Sequence, residues 1–190
     1  MELGKFVSTA LCSAILAVSL SAAQAPRKSP EFAINTTTGK QILLSEHRGK
    51  VVALMFILTG CPHCQETTKM LSRLQQEYGP QGFQVLAAAI EDTAGRDVPL
   101  FIRQFRPTFP VGFAHRLSVG QYLQHPQSAR MMMPQLVFVD RNGMIREQHS
   151  GDAPYFGEDV QEKNLRNTIE TLLKGGQSQS VSGKPGKKKG

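Results

Sequence analysis

The stretch VVALMFILTGCPHC, residues 51–64, decides the predicted fold. Residues 51–58 form an unbroken apolar run, whose length and β-branched content predict a strand buried on both faces of a sheet. A helix is predicted to begin near Pro62, because proline suits the first helical position, where its missing N–H costs no hydrogen bond. Cys61 and Cys64 are therefore predicted to lie where a core strand meets the start of a helix.

That position predicts different properties for the two cysteines. The unpaired N–H groups and the dipole of the helix start would stabilise a thiolate at Cys61, whereas Cys64, one turn further on, should be more buried and less ionised. Two cysteines at this spacing close too small a loop to stabilise a fold by restricting the unfolded chain, so a redox-active pair is the better interpretation. In disulfide exchange Cys61 would be the nucleophile, and Cys64 would resolve the mixed disulfide.

Periodicity and turn residues predict the remaining elements. Residues 31–45 are typical of a hairpin that turns at Thr38-Gly39-Lys40, and the helix that begins near Pro62 should stop at Gly79-Pro80. Further strands are predicted over 83–90, 111–113, 136–139 and 144–148, and further helices over 98–105, 119–123 and 165–173. Strands that alternate with helices, followed by a hairpin and a last helix, predict an α/β fold with a mixed central sheet and helices on both faces.

The first 25 residues have the composition of a signal peptide. Lys5 precedes an apolar run over 6–20, and Ala23-Gln24-Ala25 has the small-residue form that a signal peptidase accepts. An uncleaved membrane anchor is the alternative, but the run is shorter than the roughly 20 residues of a spanning helix. Export with cleavage after Ala25 is therefore predicted, and Cys12 would leave with the signal, so that the mature chain keeps two cysteines.

The formal charge of +7 suggests a nucleic-acid or membrane partner, but the distribution of the charge does not. Four of the positive charges come from Lys184, Lys187, Lys188 and Lys189, in a Gly/Ser/Gln/Lys-rich tail over 175–190 that is predicted to be disordered. The predicted domain over 26–174 keeps about +3, so neither a nucleic-acid partner nor, after signal cleavage, a membrane partner is expected.

From about Glu31 to Leu173 the chain resembles the thioredoxin superfamily, and within it the exported TlpA/ResA-like branch. The resemblance rests on the Cys61-Pro62-His63-Cys64 motif, on a leading hairpin from Pro30, on the Arg48-Gly49-Lys50 approach to the core strand, and on Met133-Pro134 before the strand at 136. It implies a thioredoxin-like fold with an N-terminal β-hairpin extension, disulfide exchange with protein clients and a redox partner protein, and no bound cofactor. Pro134 would be the cis-proline that faces the active-site disulfide and holds metals off it, and Met133 would offer its backbone to an extended substrate.

Three positions depart from the pattern of that branch. The aromatic residue that usually precedes the first cysteine is replaced by Thr59-Gly60. The two acidic residues of the wider family would fall near Met55 and Thr67, so proton transfer from Cys64 would rely on water.

The Pro-His dipeptide matches that of the strongly oxidising DsbA-type enzymes, and His63 is therefore predicted to tune the reduction potential by stabilising the Cys61 thiolate. Whether the protein acts as oxidant or reductant stays open.

Two other functions remain as alternatives. Cys61, His63 and Cys64 lie near a predicted loop containing Met131-Met132-Met133, and soft sulfur ligands select Cu(I), so a copper-binding or copper-delivery module is possible. A peroxiredoxin-like peroxidase is the lesser alternative, because Leu58 stands where such an enzyme would have a threonine three residues before its reactive cysteine. The connection over 107–130 is longer than a minimal thioredoxin needs, and it would form either a substrate-facing cap or a tolerated insert.

Overall fold

The computed structural model describes residues 25–175. The strands are β1 (Arg27–Lys28), β2 (Ala33–Asn35), β3 (Gln41–Leu43), β4 (Val51–Ile57), β5 (Phe83–Ala89), β6 (Val111–Phe113), β7 (Gln135–Val139) and β8 (Met144–His149). The α-helices are α1 (Pro62–Tyr78), α2 (Ala94–Phe105), α3 (Arg116–Leu123) and α4 (Gln161–Gly175), and short 3-10 helices cover Leu44–His47, Gly79–Gln81 and Pro154–Phe156. The predicted signal peptide, except Ala25, and the predicted tail beyond Gly175 lie outside the described residues.

The strands form one mixed sheet of eight in the order β1-β8-β7-β4-β5-β6-β2-β3. β5 runs parallel to β4 and β6, whereas β7 pairs antiparallel with β4 on the other side. All seven residues of β4 are buried, as expected for a central strand covered on both faces. The register sets Ile57 beside Ala89 of β5 and Phe56 beside Gln135 of β7, so three chain segments meet beyond the carboxyl end of β4.

Alternate residues of β4 supply two apolar cores, one on each face of the sheet. Val51, Ala53, Met55 and Ile57 pack in the core that is completed by α1, α2 and α4. Val52, Leu54 and Phe56 pack in the second core, which is completed by α3 and by Phe32 of the N-terminal segment. The predicted fold class, an α/β thioredoxin-like fold with helices on both faces of a mixed sheet, is confirmed.

The structure differs from the sequence-based elements in a few places. The two-residue strand β1 was not predicted, and it pairs with β8 through Arg27 and Ile145. α2 begins one turn before the apolar positions that marked it and keeps Pro99 inside the helix. Its first turn is held by Thr93, whose carbonyl accepts the Asp97 N–H at 3.0 Å and whose hydroxyl donates to the Asp97 carboxylate at 2.5 Å. These local bonds lie upstream of the apolar periodicity, so the pattern of apolar residues does not reveal them.

Between Ala25 and Gly175 there is no helix of the length and apolar character needed to cross a membrane.

Candidate active site

Cys61 and Cys64 lie at the junction of β4 and α1. After Ile57 the chain turns through residues 58–60, and Cys61, in an extended conformation, is the N-cap of α1. Pro62 occupies the first helical position, as the sequence predicted. The Cys61 N–H donates to the Leu58 carbonyl at 3.1 Å, and the Cys61 carbonyl accepts from Gln65 N–H at 3.1 Å. The core strand and the first turn of the helix together hold the position of the Cys61 sulfur.

The surroundings of the two thiols are unequal. Both are free thiols; Cys61 is partly exposed, whereas Cys64 is 0% exposed. Burial raises the pKa of the Cys64 thiol well above its usual value, and the hydrogen bond with Cys61 and the charges of Cys61 and Glu91 act in the same direction. A hydrogen bond from the backbone of Leu58 opposes this shift. The arrangement offers one accessible sulfur and, one turn behind it, a second sulfur that resists ionisation.

The His63 side chain contacts the segment before α4. Its ring meets the Phe156 ring edge-on, with the centroids 5.4 Å apart, and within residues 25–175 its imidazole makes no hydrogen bond. Its carbonyl accepts from the Thr67 hydroxyl at 2.8 Å, and Gln161 donates to the same hydroxyl at 2.8 Å. These contacts fix the first turn of α1 against α4, while the role of His63 in tuning the potential stays a prediction.

The loop before β7 lies beside the turn over 58–60, because β7 pairs antiparallel with the end of β4. The Met133–Pro134 peptide is cis, Pro134 is buried, and Met133 packs against the apolar core that Cys61 and Cys64 also border. In the part of the chain that the structure describes, the N–H and carbonyl of Met133 have no hydrogen-bond partner. Neither group is therefore used by the main-chain hydrogen bonding of the fold in the described residues.

Gln135, Ser150 and Gly151 hold the loop before β7 in place. The Gln135 side chain donates to the Met132 carbonyl at 2.6 Å and to the Ser150 hydroxyl at 2.9 Å. Gly151 N–H donates to the Met132 carbonyl at 3.2 Å. A Cβ at Gly151 would lie 2.3 Å from both the carbonyl carbon and the oxygen of Met133, so only glycine fits without displacing the loop.

The sequence analysis missed a carboxylate at this site. Glu91 follows the end of β5, where the register brings it beside Thr59. Glu91 Oε1 accepts the Thr59 N–H at 2.8 Å and also accepts from the Thr59 hydroxyl, whereas the buried Oε2 has no partner within residues 25–175. The positions where an acid was sought are occupied by Met55, a core residue, and by Thr67. The signal that could have found Glu91 is an acidic residue directly after the strand that neighbours β4.

The long connection over 107–130 leads directly into the loop before β7. It contributes β6 and α3, and a groove of about 510 Å³ runs along α3 to Met131, with Asp92 on its wall. The exposed cations Arg116 and Arg130 line this groove. The groove thus adjoins Asp92 and Met131, and the choice between a substrate-facing cap and a tolerated insert stays a prediction.

A partly exposed cysteine and a buried one in a Cys-x-x-Cys motif, at the strand-to-helix junction of a mixed sheet, define a thioredoxin-like thiol–disulfide oxidoreductase. The model of the AhpC/TSA family matches residues 26–148, and the chain belongs to that family. The thiol-disulfide oxidoreductase ResA of Bacillus thuringiensis (strain Al Hakam) is 26% identical over 132 residues, which cover 68% of this chain and 71% of that protein. The thioredoxin-like protein YneN of Bacillus subtilis is 24% identical over 128 residues, covering 67% and 72%.

Solved structures agree with this assignment. A thiol:disulfide interchange protein DsbE from Chlorobium tepidum superposes with a TM-score of 0.66 at 28% identity, covering 78% of this chain and 96% of that one. A glutathione peroxidase 8-A of Xenopus laevis is also similar, at 34% identity, but over only 85 residues, or 43% of this chain and 40% of that protein. Enzymatic thiol–disulfide chemistry on a thioredoxin fold, as predicted, is confirmed.

The copper alternative stays a prediction. Across residues 25–175, no three or more His, Cys, Asp or Glu side chains are grouped so that they could hold a metal ion. A Cu(I) site would therefore have to combine the two cysteines with methionine sulfur, and Met133 of the loop packs against the same core cluster as the cysteines.

Proposed function

We propose that this protein is an exported thiol–disulfide oxidoreductase that exchanges disulfides with protein thiols through Cys61 and Cys64. The observation that carries the proposal is the unequal exposure of the two thiols at the start of α1, one accessible and one fully buried. An accessible thiol meets the client, and a shielded thiol one turn away resolves the intermediate before another molecule can attack it.

Disulfide exchange takes place in two steps, each of which forms one bond to sulfur and breaks another. When a client disulfide is reduced, the Cys61 thiolate attacks one client sulfur, the client S–S bond breaks, and the other client sulfur leaves with the electron pair. Cys64 then loses its proton and attacks Cys61, the bond between Cys61 and the client breaks, and the client leaves as a thiolate. The client gains two electrons and the cysteine pair becomes a disulfide; oxidation of a client is the same sequence in reverse.

Client binding is assigned to the loop before β7. The free N–H and carbonyl of Met133 are suited to an extended segment on either side of a client cysteine, since main-chain hydrogen bonds of this kind hold peptides without demanding a sequence. Pro134, next to the turn over 58–60, lines the same side of the site. Because backbone pairing is tolerant of sequence, this mode of binding fits an enzyme with several clients.

Export is proposed from the sequence of residues 1–25, and it matches the chemistry, because disulfide exchange with secreted proteins takes place outside the reducing cytoplasm. Fractionation of expressing cells, followed by N-terminal sequencing of the protein, tests this. A mature chain that starts at Pro26 in the extracytoplasmic fraction is expected, and an intact chain in the cytoplasm would contradict export.

The exchange mechanism is tested with two matched serine variants in an insulin-reduction assay. Cys61→Ser is expected to lose turnover completely, because no accessible thiolate remains. Cys64→Ser is expected to form mixed disulfides with client proteins that persist on non-reducing gels, because the resolving sulfur is missing. Turnover by Cys61→Ser at the wild-type rate would overturn the assignment.

A peroxidase function is distinguished in the same preparations. Thr59 is the only threonine of the turn before Cys61, and its hydroxyl already donates to Glu91, so it is not free to hold a peroxide at the cysteine. Consumption of hydrogen peroxide by the wild-type protein at the rate of disulfide exchange would favour the peroxidase instead.

A further inference from the structure

Glu91 has a carboxylate oxygen with no hydrogen-bond partner in the part of the chain described by the structure. Oε1 accepts both donors of Thr59, whereas Oε2 is buried and unpaired. A buried polar atom left without a partner destabilises the folded state, and a charged one does so more. Nothing in the packing of the fold requires that cost, because the Thr59 hydrogen bonds use the other oxygen. The unpaired oxygen is therefore available for a chemical role.

The neighbouring group that needs a proton acceptor is Cys64. It is 0% exposed, and burial raises the pKa of its thiol, so solvent neither reaches it nor ionises it readily. The backbone of Leu58 hydrogen-bonds the Cys64 thiol, and Glu91 Oε1 accepts the N–H of the next residue, Thr59, so both groups contact the same turn before Cys61. The charge of Glu91 accordingly acts to raise the pKa of the Cys64 thiol. To close the Cys61–Cys64 disulfide, the thiol must nevertheless give up its proton.

We propose that Glu91 is the proton acceptor for Cys64 when the mixed disulfide is resolved. This inference rests on the proposed function and adds to it the residue that moves the proton. As the Cys64 sulfur bonds to Cys61, its proton passes to Glu91 Oε2, and the bond from Cys61 to the client breaks with the electron pair leaving on the client sulfur. In the reverse reaction the protonated Glu91 returns the proton to Cys64 as the disulfide opens.

Other titratable residues belong to the segments next to Glu91 in the fold. They are Cys61, His63 and Cys64 at the start of α1, Asp92, Arg96 and Asp97 directly after Glu91, and His115, Arg116 and Arg130 around the groove beside α3. Arg96 and Asp97, in the first turn of α2, pair with each other at 2.8 Å. Asp92 lies on the groove beside α3, and His63 packs on Phe156. Glu91 is the carboxylate whose charge acts on Cys64.

The sign of the effect of Glu91→Gln separates this role from simple electrostatics. The negative charge of Glu91 raises the pKa of Cys64, so if charge were the whole effect, the neutral variant would ionise Cys64 more readily and resolve faster. If Glu91 takes the proton, the variant resolves more slowly. Gln also keeps an amide oxygen that can accept from Thr59, so the hydrogen bonds that fix the turn before Cys61 are preserved.

The experiment follows the two steps of the full-length protein's reaction separately. Reduced protein is mixed with excess aromatic disulfide reagent (DTNB) in a stopped-flow instrument. The first release of chromophore reports the attack by Cys61, and the second reports the attack of Cys64 on the mixed disulfide. Both rates are measured from about pH 6 to about pH 9, a range that spans the usual titration of thiols. The Glu91→Gln variant, the wild type and two controls are compared.

We expect the first step of Glu91→Gln to match the wild type and the second to slow by about 100-fold near neutral pH, at the low end of general-base effects. The slowed step should rise about tenfold per pH unit, because hydroxide then has to remove the proton, while the wild-type step changes less steeply. Glu66→Gln, which alters an exposed carboxylate of α1 paired with Lys69, should change neither step. Thr59→Val removes a hydroxyl donor but keeps the carboxylate, and it should slow the second step much less than Glu91→Gln.

The outcomes that contradict the role of Glu91 differ from the one that contradicts the proposed function. A second step in Glu91→Gln that is as fast as or faster than the wild type at every pH would overturn the role of Glu91. Equal slowing by Thr59→Val would also overturn it, by showing that only the shape of the turn matters. Loss of the first step in the wild type would instead contradict the proposed function itself, since Cys61 would then not be a working nucleophile.

Discussion

Replacing Gly151 by alanine should damage client turnover without touching either cysteine. The new Cβ would lie 2.3 Å from the carbonyl carbon and oxygen of Met133, where ordinary contact begins at 3.4 Å, so the loop must move by about 1 Å. A displacement of this size in a substrate-positioning group costs about 100-fold in rate. Overpacking also costs about 1–3 kcal/mol of stability, a fall in Tm of about 2–12 °C for a domain of this size.

The assay compares a protein substrate with a small reagent in the same preparation. Insulin reduction by Gly151→Ala should fall by about 100-fold, whereas alkylation of Cys61 by iodoacetamide, which needs no backbone pairing, should keep its wild-type rate. Gly95→Ala is the matched control, because Gly95 is exposed in α2 and its added Cβ would meet nothing closer than 4.0 Å. Wild-type insulin reduction by Gly151→Ala would refute the assignment of client binding to the loop before β7.

Three further predictions concern the core, the response to acid and the thiols. Phe56→Ala, which empties a fully buried site between Phe32 and Tyr122, should cost about 3–5 kcal/mol in chemical denaturation, whereas Leu100→Ala, 53% exposed, should cost less than about 0.5 kcal/mol. Burial acts to raise the pKa of Glu147, but hydrogen bonds from His149 and Thr168 outweigh it and hold that pKa below the usual 4.5. The stability that Glu147 contributes is thus present above pH 4.5 and lost as the pH falls through the lower folded pKa. Because the Glu147 side chain is 36% exposed and solvent screens its interactions, Glu147→Gln should cost less than about 1 kcal/mol at pH 7 and less again in strong acid, and an equal cost at both would contradict this. Iodoacetamide should modify Cys61 of the reduced protein more than about tenfold faster than Cys64, as mass spectrometry of the labelled peptides will show, and equal labelling would contradict the burial of Cys64.

The sequence predicts most of the fold because its strongest signals are local. The apolar run that became β4 and the proline that begins α1 each act within one element, and together they place the Cys-x-x-Cys motif correctly. β1 was missed because two residues carry no periodic pattern. Its position depends on tertiary contacts: Arg27 donates to the carbonyl of Tyr122 at 3.3 Å and to the side chain of Gln148 at 2.7 Å.

Much of the candidate site depends on strand register, which the sequence does not reveal. Glu91 is far from Cys64 along the chain, and it reaches the site only because Ala89 pairs with Ile57 and the chain continues past both strand ends. Gly151 is also remote from Met133 along the chain, and its need to be glycine follows from the close approach of two loops. The family pattern places the acid at Met55 or Thr67, and it therefore does not predict a carboxylate just beyond the end of the neighbouring strand.

The reduction potential of the Cys61–Cys64 pair tests the central claim most directly. The protein is equilibrated in metal-free glutathione buffers, and mass spectrometry after alkylation reports the fractions of dithiol and disulfide. We expect a single reversible two-electron couple that Cys61→Ser and Cys64→Ser both abolish. A value near about −120 mV would mark an oxidant tuned by His63, and one at or below about −270 mV would mark a reductant with a dedicated donor. Absence of any reversible couple in the wild-type protein would contradict the account and leave Cu(I) binding as the hypothesis to examine.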